Sequence, residues 1–264
     1  MRRLIFLLPI FLLLLNQQEN SVFVKSLGNN YAYANIDTLY AVFGGRLYSS
    51  NATQATARNA TTATSLDSVS TFSIGNQYAA GAWNYFRGFF GFNMPDMASI
   101  NSLVFELNGG TDRSETDTLW NIFSASQAAS GGITTADFDQ FNIWQASGAY
   151  NGVKLISDWN TTSYSINWNT FTFNAAGKDT ALVYKNSTFY FMVDELRDYY
   201  DVWAVGDSCY ITFEGTDGND PRLIVNYEIT SPPAATNDNA QYLFRNGQPV
   251  YYHKNGQPLK RRPE

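Results

Sequence analysis

The residue types needed for nucleophilic catalysis are scarce in this chain of 264 residues. It contains one histidine, His253, and one cysteine, Cys209. His253 lies away from any serine in a strand-to-helix turn, so neither a Ser-His-Asp nor a Cys-His site is expected. Cys209 alternates with Ile211 and Phe213, which is typical of a buried apolar position in a strand. The sequence also has no phosphate-binding loop and no dinucleotide fingerprint. We therefore expect a protein that is not an enzyme.

Carboxylates offer a second kind of chemistry, because glycoside hydrolysis needs only two of them at a defined separation. The candidate pairs are Asp194 with Glu195 and Asp198 with Asp201. The segment from Asp194 to Asp198 directly follows the apolar run Phe189–Val193, so the simpler interpretation is a polar loop that leaves a strand. We predict this loop, and a hydrolase with a shallow carboxylate site is the weakest alternative.

A third group of polar residues has the composition of a calcium site. Asp217, Asn219 and Asp220 supply hard oxygen ligands, and Gly218 eases the turn between them. Clusters of Asp, Asn and Gly are also common turn formers, and Asp220 precedes a proline. We expect a simple turn and no cofactor, with a structural Ca²⁺ at these three residues as the alternative.

Sugar binding would require exposed aromatic rings beside amide and carboxylate groups. Eight aromatic residues lie in loop-like or edge contexts: Trp144, Tyr150, Trp159, Tyr164, Trp168, Tyr199, Tyr200 and Trp203. The predicted ligand-binding residues among them are Trp144, Trp159, Trp168, Tyr199 and Trp203. The alternative is that these rings cap the ends of the fold and keep their polar atoms at its rim.

The elements that would carry these residues are predicted to be strands. Apolar residues alternate with others at Phe86, Gly88, Phe90 and Phe92 and again, after Pro95, at Leu103, Phe105 and Leu107. This period of two predicts two half-buried antiparallel strands joined by a loop, in the middle of a β-sandwich. Alternation recurs at Phe189–Val193, at Cys209–Phe213 and at Leu223–Tyr227.

Segments without this alternation predict loops and a few short helices. Thr134 or Thr135 is a candidate N-cap for one turn through Gln140, and Asn174–Val183 is a second candidate helix. Ser49–Thr64 lacks apolar periodicity, which predicts a long exposed loop or a poorly packed edge segment. We therefore expect an all-β protein, an antiparallel β-sandwich or jelly roll with one or two short helical turns.

The net charge and the low share of charged residues limit the kinds of partner that the protein is expected to bind. The formal net charge is −6, which disfavours binding to nucleic-acid phosphates. Charged residues make up 15% of the chain, against roughly 25% in ordinary soluble domains, and Asn, Ser and Thr fill polar positions instead. Such surfaces occur on many extracellular and virion proteins, although a bias in the composition of the source would produce the same pattern.

The chain divides into four parts. Arg2 and Arg3 precede the apolar run Leu4–Leu15, which predicts a signal peptide over residues 1–20, too short to span a membrane, with an uncleaved anchor as the alternative. Residues 21–230 form the predicted sandwich, and residues 231–239 form a linker. Residues 240–264 repeat Asn-Gly-Gln-Pro, so we expect hairpins with strands at Gln241–Arg245 and Val250–Lys254. Such small strands need a partner surface, so oligomers are predicted to form through this tail.

The order of these motifs resembles the β-sandwich modules of the DNRLRE type over residues 45–228. The resemblance rests on Tyr85-Phe-Arg-Gly-Phe-Phe-Gly-Phe, on Met94-Pro-Asp-Met-Ala-Ser-Ile-Asn-Ser-Leu and on a closing Pro-Arg-Leu-Ile-Val-Asn-Tyr strand. Asn93 stands where these modules usually have Asp, which removes a carboxylate able to bind a cation, and Ser102-Leu103 lacks their common Ala. The resemblance implies a non-catalytic jelly roll similar to carbohydrate-binding domains.

Two functions are therefore expected. The first is an exported adhesion or carbohydrate-binding module whose partner is a surface glycan. The alternative is a structural subunit of a phage virion, similar to a tail fibre, or of a surface appendage, whose partner is a neighbouring protein. Both place the protein outside the cell, at the cell surface or in a virion, with no nucleic-acid partner and no transmembrane span in the mature chain.

Overall fold

A computed structural model describes residues 21–22, 34–67, 71–127, 132–140, 153–202, 208–215, 219–229, 241–245 and 248–252. The predicted signal peptide and linker lie outside these ranges. The described strands are β1 (Ser21–Val22), β2 (Ala34–Tyr40), β3 (Phe43–Asn51), β4 (Ser65–Asp67), β5 (Thr71–Ala79), β6 (Ala82–Asn93), β7 (Ser99–Asp112), β8 (Leu119–Ser124), β9 (Trp159–Asn160), β10 (Trp168–Thr172), β11 (Thr188–Glu195), β12 (Ser208–Glu214), β13 (Arg222–Glu228), β14 (Gln241–Arg245) and β15 (Gln248–Tyr252).

Short helices lie between the strands. The α-helices are α1 (Gln54–Arg58), α2 (Ala175–Val183) and α3 (Leu196–Tyr200), and two 3-10 turns cover Thr135–Asp137 and Thr161–Ser163. Both predicted helical segments are confirmed. Thr134 caps the first 3-10 turn in a reciprocal capping box with Asp137, and the Asn174 side chain accepts from Gly177 N at the start of α2.

The strands form a curled antiparallel sheet because two long strands each change partner along one edge. Along its whole length β6 pairs with β3, while its other edge pairs first with β5 and then with β11. Likewise β7 pairs with β10 on one edge and with β13 and then β12 on the other. These changes of partner fold one sheet into two facing layers, with the order β2-β13-β7-β12-β5-β6-β11-β8.

The space between the layers holds the main hydrophobic core. Phe90, Phe105, Phe191 and Phe213 are all 0% exposed and belong to one cluster. The Phe105 ring packs against Phe90 and Phe191 with centroids 4.9 Å away in each case. The prediction of an all-β sandwich with these alternating residues buried between its layers is confirmed.

The strand β6 is buried on both faces, so the prediction of a half-buried strand is wrong for β6 although it is confirmed for β7. Residues on its second face, such as Tyr85 and Phe89, join a second apolar cluster with Ala57 of α1 and Leu196 of α3. The outer surface of this layer is therefore covered, and we call it the covered face.

The prediction of an exposed loop over Ser49–Thr64 is also wrong, because this segment contains the end of a strand and a short helix. Residues Ser49–Asn51 complete β3, and α1 follows with Ala57 and Arg58 buried. The small side chain of Ala57 and the ion pairs of Arg58 dock this short helix, which has no apolar periodicity of its own. In the tail, β14 and β15 pair in a separate antiparallel hairpin, as predicted, although β15 begins at Gln248. The second Asn-Gly repeat lies outside the described residues.

Candidate ligand-binding face

The outer surface of the other layer is exposed, and we call it the open face. Cross-strand neighbours point to the same side of a sheet, so the register defines which residues share this surface. Two aligned rows cross the four strands β2, β13, β7 and β10. The first row holds Tyr40, Arg222, Glu106 and Thr170, and the next holds Thr38, Ile224, Val104 and Thr172. Among them, Tyr40, Thr38, Thr170 and Thr172 are exposed and the rest are partly exposed.

Trp168 dominates one end of the open face. The guanidinium carbon of Arg222 lies 3.8 Å from the centroid of the Trp168 ring, a cation–π contact. Arg222 Nε also donates to Glu106 Oε2 at 2.6 Å. The ion pair fixes the guanidinium, and the guanidinium fixes one face of the indole ring, so Trp168 is held in place without being buried.

The alternation within β10 explains this orientation. Asn169 and Phe171 point inward and are buried, whereas Trp168, Thr170 and Thr172 point outward. The Asn169 amide donates to Ser165 O at 2.8 Å and its carbonyl accepts from Ser165 N at 2.8 Å, which closes the loop that leads into the strand. The register of β10, and with it the outward direction of Trp168, is fixed by this buried side chain.

Chemically, the open face combines a ring with uncharged polar groups. Tyr40 is 58% exposed at the far end of the row that contains Arg222 and Glu106. Arg222 and Glu106 lie between the two rings, Thr170 follows Trp168 on the same face of β10, and Thr38 lies beyond Tyr40 on β2. Aromatic faces next to hydroxyl and amide groups suit a ligand that is apolar on one side and rich in hydroxyls on its edges.

The predicted aromatic residues do not come together. Of the described ones, only Trp168 lies on the open face. Trp159 lies on the inner side of β10, with its ring 4.9 Å from Phe171. Tyr199 lies on α3 above the covered face and stacks on Phe123 at 5.3 Å. Trp144 and Trp203 fall outside the described residues.

The predicted calcium ligands are only partly described. Asn219 Nδ2 donates to Glu214 Oε2 at 2.8 Å, and Asp220 lines an open cavity of about 230 Å³ together with Phe43 and Phe72. Asp217 lies outside the described ranges. Within those ranges, no group of three or more His, Cys, Asp or Glu side chains is arranged to hold a metal ion. The calcium alternative stays a prediction.

Sequence analysis missed a buried charge cluster beneath the covered face, formed by Arg58, Arg87, Asp194 and Asp198, each no more than 2% exposed. Asp198 accepts from Arg58 Nε at 2.8 Å and from Arg87 Nη2 at 2.8 Å. Arg87 also lies over the Phe138 ring at 4.1 Å and donates to the Phe138 carbonyl at 3.1 Å. The cluster joins α1, β6, β11, α3 and the turn at Phe138.

The two carboxyl groups of this cluster carry different charges. Burial, and then the adjacent Asp198 carboxylate, raise the pKa of Asp194 well above its usual value. Burial alone would also raise the pKa of Asp198, but Arg87, the hydrogen bond from Asp194 and Arg58 outweigh it, so that the pKa of Asp198 is lowered. The two shifts favour a neutral Asp194 beside an ionised Asp198, and among the described residues Asp194 Oδ2 has no hydrogen-bond partner and lies 3.7 Å from Arg87 Nε.

The predicted polar loop after Phe189–Val193 is thus wrong. Asp194 and Glu195 are the last residues of β11 and are fully buried, and Asp198 lies in α3. Glu195 accepts from Thr118 Oγ1 at 2.6 Å and from Asn76 Nδ2 at 2.8 Å, and burial raises its pKa to about 7. The ion pairs with Arg58 and Arg87 turn what looks like a solvated segment into an interior one.

Comparisons with known proteins leave the chain without an assigned family. No protein-family model matches it, and a search of curated proteins finds no significant match. In the described part of the chain, no helix has both the length and the apolar character needed to cross a bilayer.

Proposed function

We propose that this protein is a non-catalytic, exported carbohydrate-binding module and that its open face binds an uncharged glycan. The single observation that supports this most is the partly exposed Trp168 ring, held by Arg222 on an uncovered sheet surface, with the hydroxyl group of Thr170 next to it on β10. The apolar leader at Leu4–Leu15 supports export, and the resemblance to DNRLRE-type modules supports the class.

An uncharged glycan is favoured over an acidic one by charge. Glu106 neutralises Arg222, the one cation in the aligned rows of the open face, and the chain as a whole carries a net charge of −6. A polyanionic chain would therefore meet repulsion with no free cation in those rows to offset it. Stacking on Trp168 supplies most of the affinity in this proposal, and the threonine hydroxyls orient the ligand.

Glycan arrays and whole-cell binding test the proposal. The full-length protein is expected to bind a neutral glycan, and Trp168→Ala is expected to weaken that binding at least tenfold. Tyr200→Ala is the matched control, because Tyr200 is 56% exposed but lies on α3, away from the open face. An array and a cell panel that stay blank, or equal losses in both variants, would refute the proposal.

A second function, as a subunit of a virion or surface appendage, is favoured by the tail hairpin. Strands β14 and β15 form a two-stranded sheet that does not join the main sheet. An isolated hairpin is marginal in water, and its edges suit pairing with a neighbouring chain. This proposal predicts defined oligomers by sedimentation that are lost when residues 231–264 are removed; a monomer with an unchanged profile would contradict it.

A further inference from the structure

Three buried polar side chains meet at the place where the sheet divides. Strands β5 and β11 pair with successive halves of the same edge of β6 and then separate, and Glu195 lies at the end of β11 in the resulting gap. One of its oxygens accepts from Thr118 Oγ1 at 2.6 Å, and the other accepts from Asn76 Nδ2 at 2.8 Å. Asn76 and Glu195 are 0% exposed and Thr118 is 6% exposed.

This is an arrangement of a nucleophile, an acid–base group and an electrophile. Thr118 offers a hydroxyl, Asn76 offers a carboxamide carbon with a nitrogen leaving group, and a single carboxylate touches the hydroxyl and that nitrogen. We propose that Thr118 and Asn76 become joined by an intramolecular ester bond, formed without any cofactor, with Glu195 transferring the proton.

The ester forms by transfer of the Asn76 acyl group from nitrogen to oxygen. Thr118 Oγ1 attacks Cγ of Asn76 while the Glu195 carboxylate takes the hydroxyl proton. The tetrahedral intermediate then collapses, the Cγ–Nδ2 bond breaks, and Glu195 returns the proton to the departing nitrogen. The products are an ester between the two side chains and one molecule of ammonia, and Glu195 ends as it began.

The surroundings of Glu195 favour ester formation over hydrolysis of the Asn76 amide. All three groups are shielded from water, so hydrolysis of the amide does not compete. A proton-transfer group works best with a pKa close to the ambient pH, and burial raises the pKa of Glu195 to about 7. Glu195 holds Thr118 Oγ1 and Asn76 Nδ2 on its two oxygens, so the fold replaces a bimolecular encounter by a local one.

The orphaned oxygen of Asn76 adds an independent observation. Among the described residues, Asn76 Oδ1 is buried without a hydrogen-bond partner. A buried amide oxygen left unpaired is costly, whereas an ester carbonyl is a weaker acceptor and loses less when it is desolvated. The ester would also tie β5 to the chain entering β8, which pairs with β11, and so would link the two branches that diverge at this point.

Mass spectrometry tests the proposal directly. The protein is unfolded and digested, and the peptides that contain Asn76 and Thr118 are expected as one linked pair whose mass is their sum less one ammonia. Mild hydroxylamine, which cleaves esters readily, is expected to separate the pair, and a digest of Thr118→Val treated in parallel accounts for its slower cleavage of Asn-Gly bonds such as Asn151-Gly152. Recovery of the two peptides separately at their unmodified masses overturns the inference, and so does deamidated Asn76 without a link.

Three variants test which residues are linked and which residue transfers the proton. Thr118→Val and Asn76→Ala each remove one partner, so neither is expected to give the linked pair. Glu195→Gln keeps the shape of the side chain but cannot accept a proton as a base, so it is expected to leave the peptides unlinked in a protein with the circular dichroism of the wild type. A link that forms at the wild-type rate in folded Glu195→Gln would refute the role of Glu195.

Discussion

The buried charge cluster predicts that its two aspartates respond to substitution in opposite ways. Asp198 is the ionised partner of Arg58 and Arg87, which are 2% and 0% exposed. The variant Asp198→Asn removes that charge, leaves two buried guanidinium groups without it, and turns an amide N–H towards one of them. Breaking a buried ion pair on one side typically costs about 3–5 kcal/mol. Because the raised pKa favours the neutral form of Asp194, Asp194→Asn replaces one neutral side chain by another of the same shape and is expected to cost no more than about 1 kcal/mol.

Urea unfolding followed by tryptophan fluorescence measures both changes. With a urea m-value of about 3 kcal/mol/M, Asp198→Asn is expected to lower the midpoint by roughly 1–2 M at pH 7, while Asp194→Asn is expected to lower it by no more than about 0.3 M and can raise it. A loss below about 1 kcal/mol for Asp198→Asn, or equal losses in the two variants, would refute the assignment of charges.

The pH dependence of the free energy of unfolding tests the same assignment, because the two aspartates are expected to shift it in opposite directions. The lowered pKa of Asp198 contributes stability that is present above its unfolded value and lost as the pH falls, so the deficit of Asp198→Asn shrinks on acidification. The raised pKa of Asp194 contributes stability that is present at low pH and lost as the pH rises. Asp194→Asn is therefore expected to gain stability relative to the wild type between pH 4 and pH 7, and parallel curves would contradict the cluster as described.

Two further predictions concern the packing. Gly75 has φ +115°, and an added Cβ would lie 2.2 Å from Cys209 O, so Gly75→Ala is expected to cost more than about 2 kcal/mol, whereas Gly81→Ala, with φ +79° and open space around it, should cost about 1 kcal/mol. Phe191→Ala is expected to cost about 3–5 kcal/mol because the residue is 0% exposed within the core, while the exposed Thr170→Ala should stay within about 0.5 kcal/mol. Equal midpoints within either pair, measured by the same unfolding assay, would show that the packing is not as described.

The period-two pattern was sufficient to predict the sandwich and its core, because alternation directly encodes which residues face the other layer. It was misleading for β6, where Tyr85 and Phe89 are apolar as well as Phe86 and Phe90. Apolar residues at both parities indicate a strand buried on both faces. That signal was present in the sequence, but it does not say which elements cover the second face.

The charge cluster was beyond sequence reasoning for a different reason. Arg58, Arg87 and Asp198 come from distant parts of the chain, and each alone looks like an ordinary surface residue. Only the fold brings them within hydrogen-bonding distance. On the open face, the residue type and context of Trp168 made it a candidate, while its contacts with Arg222 and Glu106 depend on a register between β7 and β13 that no local pattern predicts.

The two outer faces of the sandwich therefore have different roles, and the difference follows from what lies on each strand's outward parity. On the covered face, outward residues of β6 are aromatic or carry a charge that needs partners, so α1, α3 and the turn at Phe138 must pack over it. On the open face, the outward residues of β10 and β13 include Thr170, Thr172, Asn226 and a paired Arg222, which water solvates well, and the apolar Ile224 and Trp168 among them are only partly exposed. Such a surface stays stable uncovered, and an aromatic ring fixed on it remains free to bind a ligand. Trp168 is therefore the residue through which a binding function of this sandwich is most directly tested.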